Sequence, residues 1–149
     1  MLFHTHLLLG IVAFLLVKDH FPSAGIMFLI LVLLGSVLPD IDDGKSKIKR
    51  ASGVFGSMIS FLFKHRGIFH SLLFVIFLFI VLGLWRVDYA WALSMGYISH
   101  LFGDALTPMG IALFYPLSNW RIRGPIKVGS IGEWVILFGA VVLIVLEFF

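Results

Sequence analysis

Residues 89–106 read YAWALSMGYISHLFGDAL, an apolar run that carries His100 and Asp104 towards its end. In lipid, an ionisable side chain within such a run is expensive, about 2.5–3.5 kcal/mol for an Asp on insertion scales, and marks function by default. His100 and Asp104 stand at i and i+4, so on a helix they project from one face, a standard way to present two ligands to one ion. Thr107-Pro108 ends the run just beyond them.

The rest of the chain supports a membrane setting. Of its 149 residues 60% are hydrophobic and 13% charged, with mean hydropathy +1.09. Soluble domains hold roughly 45–50% apolar and about 25% charged residues, so water is the wrong solvent for this surface. The length suits a single domain over residues 1–149. The expected fold class is all-α, an integral membrane bundle of about five transmembrane helices with short interfacial segments.

Five apolar stretches carry that expectation: residues 2–17, 24–38, 71–85, 89–106 and 131–149. Several fall below the ~20 residues that span a bilayer comfortably, which predicts helices extending past the apolar run or ends lining a polar cavity. Residues 54–63 and 109–117 are apolar but shorter, and read as interfacial or re-entrant pieces. No Lys or Arg precedes the first run and no small-residue cleavage site follows it, so it is expected to remain as the first helix.

Charge sets the expected orientation. With five spans, the N-terminus, residues 39–70 and residues 107–130 share one side. That side holds Lys45, Lys47, Lys49, Arg50, Lys64, Arg66, Arg121, Arg123 and Lys127, against Lys18 and Arg86 on the other. The positive-inside rule puts the richer side in the cytoplasm of a cell (inner) membrane. The formal charge of +3 then reads as topology and attraction to anionic lipid, and no nucleic-acid partner is expected.

The same topology gathers polar groups. His4, His6, Asp40, Asp42, His65, His70, His100 and Asp104 all fall at cytoplasmic helix ends or in adjoining loops. Asp19, His20, Asp88 and Glu147 fall on the opposite face. Pro39 favours an extended Leu38 and helps to end the second helix, leaving Asp40 and Asp42 two apart. His65 and His70 flank Gly67, which permits a tight turn. His4 and His6, at i,i+2, do not share a helix face, so at most one is expected to be a ligand. Alone, each His would be an ordinary interfacial residue and residues 40–43 a solvated acidic turn. Their joint placement beside His100 and Asp104 points to a metal centre. The chain has no cysteine, so any ion is held by imidazole and carboxylate.

Four motifs also carry a resemblance: Thr5-His6-Leu7, Leu38-Pro39-Asp40-Ile41-Asp42, His65-Arg66-Gly67-Ile68-Phe69-His70-Ser71, and His100-Leu101-Phe102-Gly103-Asp104 leading to Thr107-Pro108-Met109-Gly110 and Pro116. In this order, over positions 5 to 116, the chain resembles the YdjM-type family of membrane-bound metal-dependent hydrolases. Phe69 departs from the Thr expected there. More distantly, the order His, Asp, His, His-x-x-x-Asp is similar to the zinc-dependent phospholipase C and P1-nuclease family. That similarity implies His6, Asp40, His65 or His70, His100 and Asp104 as ligands. The chain lacks a second His-x-x-x-acid pair, so one or two ions are expected.

A nitrogen and oxygen donor set suits zinc first, then Mn, Fe or Ni. The expected activity is metal-assisted hydrolysis, with phosphoester hydrolysis favoured. Asp42 and Arg66 are the catalytic candidates, Arg66 to hold an anionic group by a bidentate contact, with Arg121 and Arg123 as further anion contacts. Lys and Arg at the inner interface, backed by apolar helices, predict a lipid or amphiphilic phosphoester substrate from the cytoplasmic leaflet. The rival is a non-enzymatic divalent-metal transporter or metal-responsive membrane protein. A transporter should carry ligands near the bilayer midplane, whereas these crowd one face. A third reading is a scaffold that binds a soluble partner through residues 45–50.

Overall fold

The computed structural model describes residues 1–22, 24–42 and 67–148, with the backbone alone at 41, 42 and 148. Among these, five α-helices form: α1 (Phe3–Val17), α2 (Ile26–Val37), α3 (Leu72–Gly83), α4 (Val87–Ala105) and α5 (Ile131–Phe148). Short 3-10 turns extend them, Lys18–His20 after α1, Leu38–Asp42 after α2 and Ile68–His70 before α3. The all-α expectation holds. Residues 43–66, which include His65, Arg66 and the apolar piece 54–63, lie outside the described residues, as does the side chain of Asp42.

Local chemistry sets the boundaries that matter for the site. Ser71 caps α3, its Oγ accepting from the Phe74 N–H at 3.3 Å. At the end of α4 the Thr107 hydroxyl donates to the Asp104 carbonyl at 2.8 Å, and Pro108 then prevents continuation.

α4 is the central helix, packing against α1, α2 and α3, while α5 packs on α1. The α2–α4 contact is main chain against main chain. A Cβ added at Gly35 would lie 2.1 Å from the Leu93 carbonyl oxygen, and one at Gly96 would lie 1.9 Å from that of Val32. Small residues allow this approach, the usual means by which helices associate in lipid, where no hydrophobic drive acts between them.

Two ties fix the direction of α5. The Leu2 N–H donates to Glu133 Oε1 at one end, and Lys18 pairs with Glu147 at the other, 2.7 Å apart. α1 and α5 therefore run parallel. The starts of α1, α3 and α5 and the ends of α2 and α4 share one end of the bundle.

None of the described helices is long and apolar enough to cross a membrane. α2 and α3 have 12 residues each, about 18 Å at ~1.5 Å per residue, against a hydrocarbon core of ~30 Å. α4 is longer but carries Asp88, His100 and Asp104. Yet the bundle buries polar groups beside its apolar core and exposes large apolar side chains. Thr5, His6, Ser36, His70, His100, Asp104 and Glu133 are buried, whereas Ile26, Phe77, Phe102, Phe138 and Leu146 are exposed.

Residues 109–117 differ from the interfacial or re-entrant piece expected of them. They form turns closed by one antiparallel bridge, Ile111 to Ile122, with both N–H···O distances 3.0 Å. Gly110, at φ +60°, makes the reversal, and a Cβ there would meet the Ile122 carbonyl at 2.1 Å. Ile111 packs into the core with Val75, Tyr97 and Leu101, whereas Met109, Phe114 and Leu117 are exposed, so this short apolar run is part core and part surface.

Candidate metal centre

Four buried side chains from two helices and a turn converge at that end. His6 comes from the second turn of α1, His70 from the turn before α3, and His100 and Asp104 from α4. Asp40, on the turn after α2, closes the group, its side chain 18% exposed. Tyr97 secures the His70 turn by donating its hydroxyl to the Phe69 carbonyl at 2.5 Å. Gly103 gives α1 its approach: a Cβ there would lie 3.2 Å from the His6 ring.

The donor atoms face one another at separations too long for hydrogen bonds. His6 Nε2 is 3.4 Å from Asp104 Oδ1, His70 Nε2 is 3.7 Å from Asp104 Oδ2, and His100 Nε2 is 3.8 Å from Asp104 Oδ2 and 3.6 Å from Asp40 Oδ1. The His6 and His100 rings stack with centroids 3.8 Å apart, and the His70 ring meets His100 edge-on at 5.4 Å. Two donors bound to one ion at ~2.1 Å in tetrahedral array stand about 3.4 Å apart. The observed spacings begin at that value. Two overlapping sets, His6–His100–Asp104 and Asp40–His70–His100, each hold one donor atom per residue within 4.8 Å, so they could hold a metal ion.

Burial and hydrogen bonding fit the same use. Both His6 ring nitrogens and His100 Nε2 make no hydrogen bond among the described residues, although each is buried. Buried polar atoms normally have partners, and the lone pair of a neutral imidazole nitrogen could be donated to a metal ion. His100 Nδ1 lies 2.8 Å from the Ser36 carbonyl, which can only accept, so Nδ1 carries the proton and the Nε2 lone pair faces the cluster. The Met1 α-ammonium also reaches Asp104 Oδ1, at 2.6 Å, so a positive group is already seated against that oxygen. Burial pushes the Asp40 carboxyl above its ordinary value; nearby His6 draws it back, Asp104 raises it further and His70 opposes that.

Of the expected ligands, His6, Asp40, His70, His100 and Asp104 are brought together, while His65 falls outside the described residues. The catalytic candidates Arg66 and Asp42 cannot be placed, Arg66 lying outside the described residues and Asp42 being described in its backbone alone. His4 is exposed beside Trp134, ring centroids 6.2 Å apart, and stays out of the cluster, as its i,i+2 spacing from His6 predicts. Arg123 lines an apolar groove of about 440 Å³. That groove, and another of about 330 Å³ between α1 and α4, share Ile98 and Phe102. At 100° per residue these lie roughly 160° round α4 from His100, so neither groove is the metal centre.

Sequence reasoning missed Glu133. Its carboxylate is buried and accepts from the Leu2 and Gly129 N–H groups, both at 2.6 Å. An acid within an apolar run was the signal that singled out Asp104, and Glu133 carries the same signal. It also missed Ser36, whose contribution is a backbone carbonyl that no side-chain motif announces.

Comparison with known proteins places the whole chain. The family model for the YdjM inner membrane protein matches residues 1–148. The uncharacterized protein YvsG of Bacillus subtilis is 32% identical over 139 residues, covering 91% of this chain and 86% of that protein. The inner membrane protein YdjM of Escherichia coli is 37% identical over 109 residues, 68% of this chain and 55% of that protein, and the Shigella flexneri protein of the same name matches equally. No solved structure matches. These names support a cell-membrane location, and the chain belongs to the YdjM inner membrane protein family.

Proposed function

We propose that this chain is a membrane-embedded, divalent-metal-dependent hydrolase that acts on a phosphoester of a lipid or amphiphile at the cytoplasmic leaflet. The observation that carries it is the buried convergence of His6, His70, His100 and Asp104, at ligand spacing, at one end of a bundle whose exterior is apolar. The short helices fit a bilayer if their 3-10 extensions complete each span and their polar ends line the cavity around the site. The surplus of Lys and Arg on the site's side orients that end, with the N-terminus, to the cytoplasm.

His6, Asp40, His70, His100 and Asp104 would hold the ion, zinc being the best match to nitrogen and oxygen donors. A divalent ion there supplies Lewis-acid polarisation of the ester and a water acidified towards neutral pH. The protein does the rest. The Ser36 carbonyl fixes the His100 tautomer, the Tyr97–Phe69 hydrogen bond holds the His70 turn, and surrounding helices keep bulk water from the donors. Asp40, the most exposed of the five, stands at the rim of the cluster. Arg66 remains the candidate for the anionic group.

The test is purified protein, loaded in turn with zinc, manganese, iron and nickel, assayed for phosphate or head-group release from a panel of phospholipids and isoprenoid phosphates. Metal-dependent release that disappears with His100→Ala supports the proposal. Metal uptake with no turnover on any substrate class would leave a metal-responsive membrane protein instead.

A further inference from the structure

We infer that Glu133 is a positioning residue for the metal centre: its single carboxylate caps the starts of two parallel helices, α1 and α5, and thereby sets the height and rotation of His6. This rests on the metal-centre reading above.

α1 begins without a cap of its own. Leu2, at the N-cap, offers no side-chain acceptor, and the first turn of α1 holds no acid. Helix starts leave backbone N–H groups unsatisfied and favour negative charge. Glu133, from the first turn of α5, meets both needs. Oε1 accepts from the Leu2 N–H and Oε2 from the Gly129 N–H, each at 2.6 Å, and the carboxylate is buried. Both oxygens are committed to backbone donors, so Glu133 acts from outside the ligand cluster.

The consequence falls on His6. It lies four residues beyond Leu2, one helical turn along α1. Its ring sits between Asp104, 3.4 Å away, and His100, stacked at 3.8 Å, over a glycine whose replacement Cβ would lie 3.2 Å from it. No slack remains for α1 to slide or turn without moving that ring. At the far end Lys18 and Glu147 make the other α1–α5 tie, in a half-exposed setting away from any ligand, which supplies an internal control.

The experiment measures zinc affinity of the full purified chain in detergent by competition with a chromophoric chelator. Glu133→Gln keeps the shape, but its amide nitrogen faces one of the two N–H donors. The expected loss is ten- to a hundredfold, the range for residues that orient ligands. In a His6→Ala background the same substitution should change affinity less than twofold, because its route of action is already gone. Glu133→Asp, a milder variant that keeps the charge but reaches one helix start only, should lose less. Glu147→Gln should bind as the unaltered protein does. Affinity within twofold for both Glu133 variants overturns the inference. So does an equal loss with and without His6, or a matching loss for Glu147→Gln. Zinc uptake is read without turnover: a chain that binds zinc yet hydrolyses nothing removes the hydrolase and leaves Glu133 in place, whereas a chain that takes up no zinc removes both.

Discussion

The two ends of the bundle hold the same kinds of side chain and use them in opposite ways. At the far end Lys18 and Glu147 pair at 2.7 Å with roughly a third of each side chain exposed, and Arg86 lies over the Tyr89 ring at 4.8 Å. Each charge there has a single partner and water nearby. At the site end three imidazoles and a carboxylate are buried, with imidazole nitrogens 3.4–3.8 Å from the Asp104 oxygens and the Met1 α-ammonium 2.6 Å from one of them. Exposed pairs of the first kind contribute little to stability. Groups of the second kind are costly to bury unless they are partnered, so the contrast is between charges that decorate a surface and buried groups that could hold a metal ion.

The sharpest way to break that contrast is to remove its centre. Asp104→Ala should cut bound metal to less than a tenth of the unaltered level by elemental analysis, because its two oxygens face His6, His70 and His100 at once. Equal metal in both proteins would mean that the cluster is only packing. Next in size is Gly96→Ala. Its methyl would lie 1.9 Å from the Val32 carbonyl, so α2 must move off α4, at a cost of order 3 kcal/mol, visible as a lower Tm in detergent together with weaker metal binding.

A smaller effect follows from Asp40. Its carboxyl is held above the usual aspartate range by burial, so in the metal-free protein the fold favours the protonated form. Stability is then greatest below the unfolded value, near 3.9, and falls as pH rises through the raised folded value. Asp40→Asn should flatten that slope in denaturation measured across the acidic range, and an unchanged slope would assign the effect elsewhere. Smallest of all is Lys18→Ala, which should leave metal content and Tm where they were. A loss of metal from this change would erase the distinction between the two ends.

Much of this was legible in residue pattern. The apolar runs 2–17, 24–38, 71–85, 89–106 and 131–149 give the five helices to within a few residues, because runs of this length and apolarity, bounded by polar and turn residues, favour helix. Alternating direction alone predicts that His6, Asp40, His70, His100 and Asp104 share one end, and they do. What pattern did not give was close approach. Gly35, Gly96 and Gly103 lie within the apolar runs with no side chain to signal a contact, yet each is where another chain segment touches. Residues 109–117 misled because a short apolar run looks the same whether it faces lipid or, as Ile111 does, packs against Tyr97.

The glycine contact between α2 and α4 also sorts the donors by the segment that carries them. With no side chains cushioning Gly35 against Leu93 or Gly96 against Val32, those helices behave as one welded beam. Asp40, His100 and Asp104 ride on that beam or its immediate extension, whereas His6 belongs to α1 and His70 to a short turn pinned by Tyr97. Both are tied back to the beam, His6 by its 3.8 Å stack on His100 and the His70 turn by the Tyr97 hydroxyl, so the whole donor set takes its positions from one rigid pair of helices.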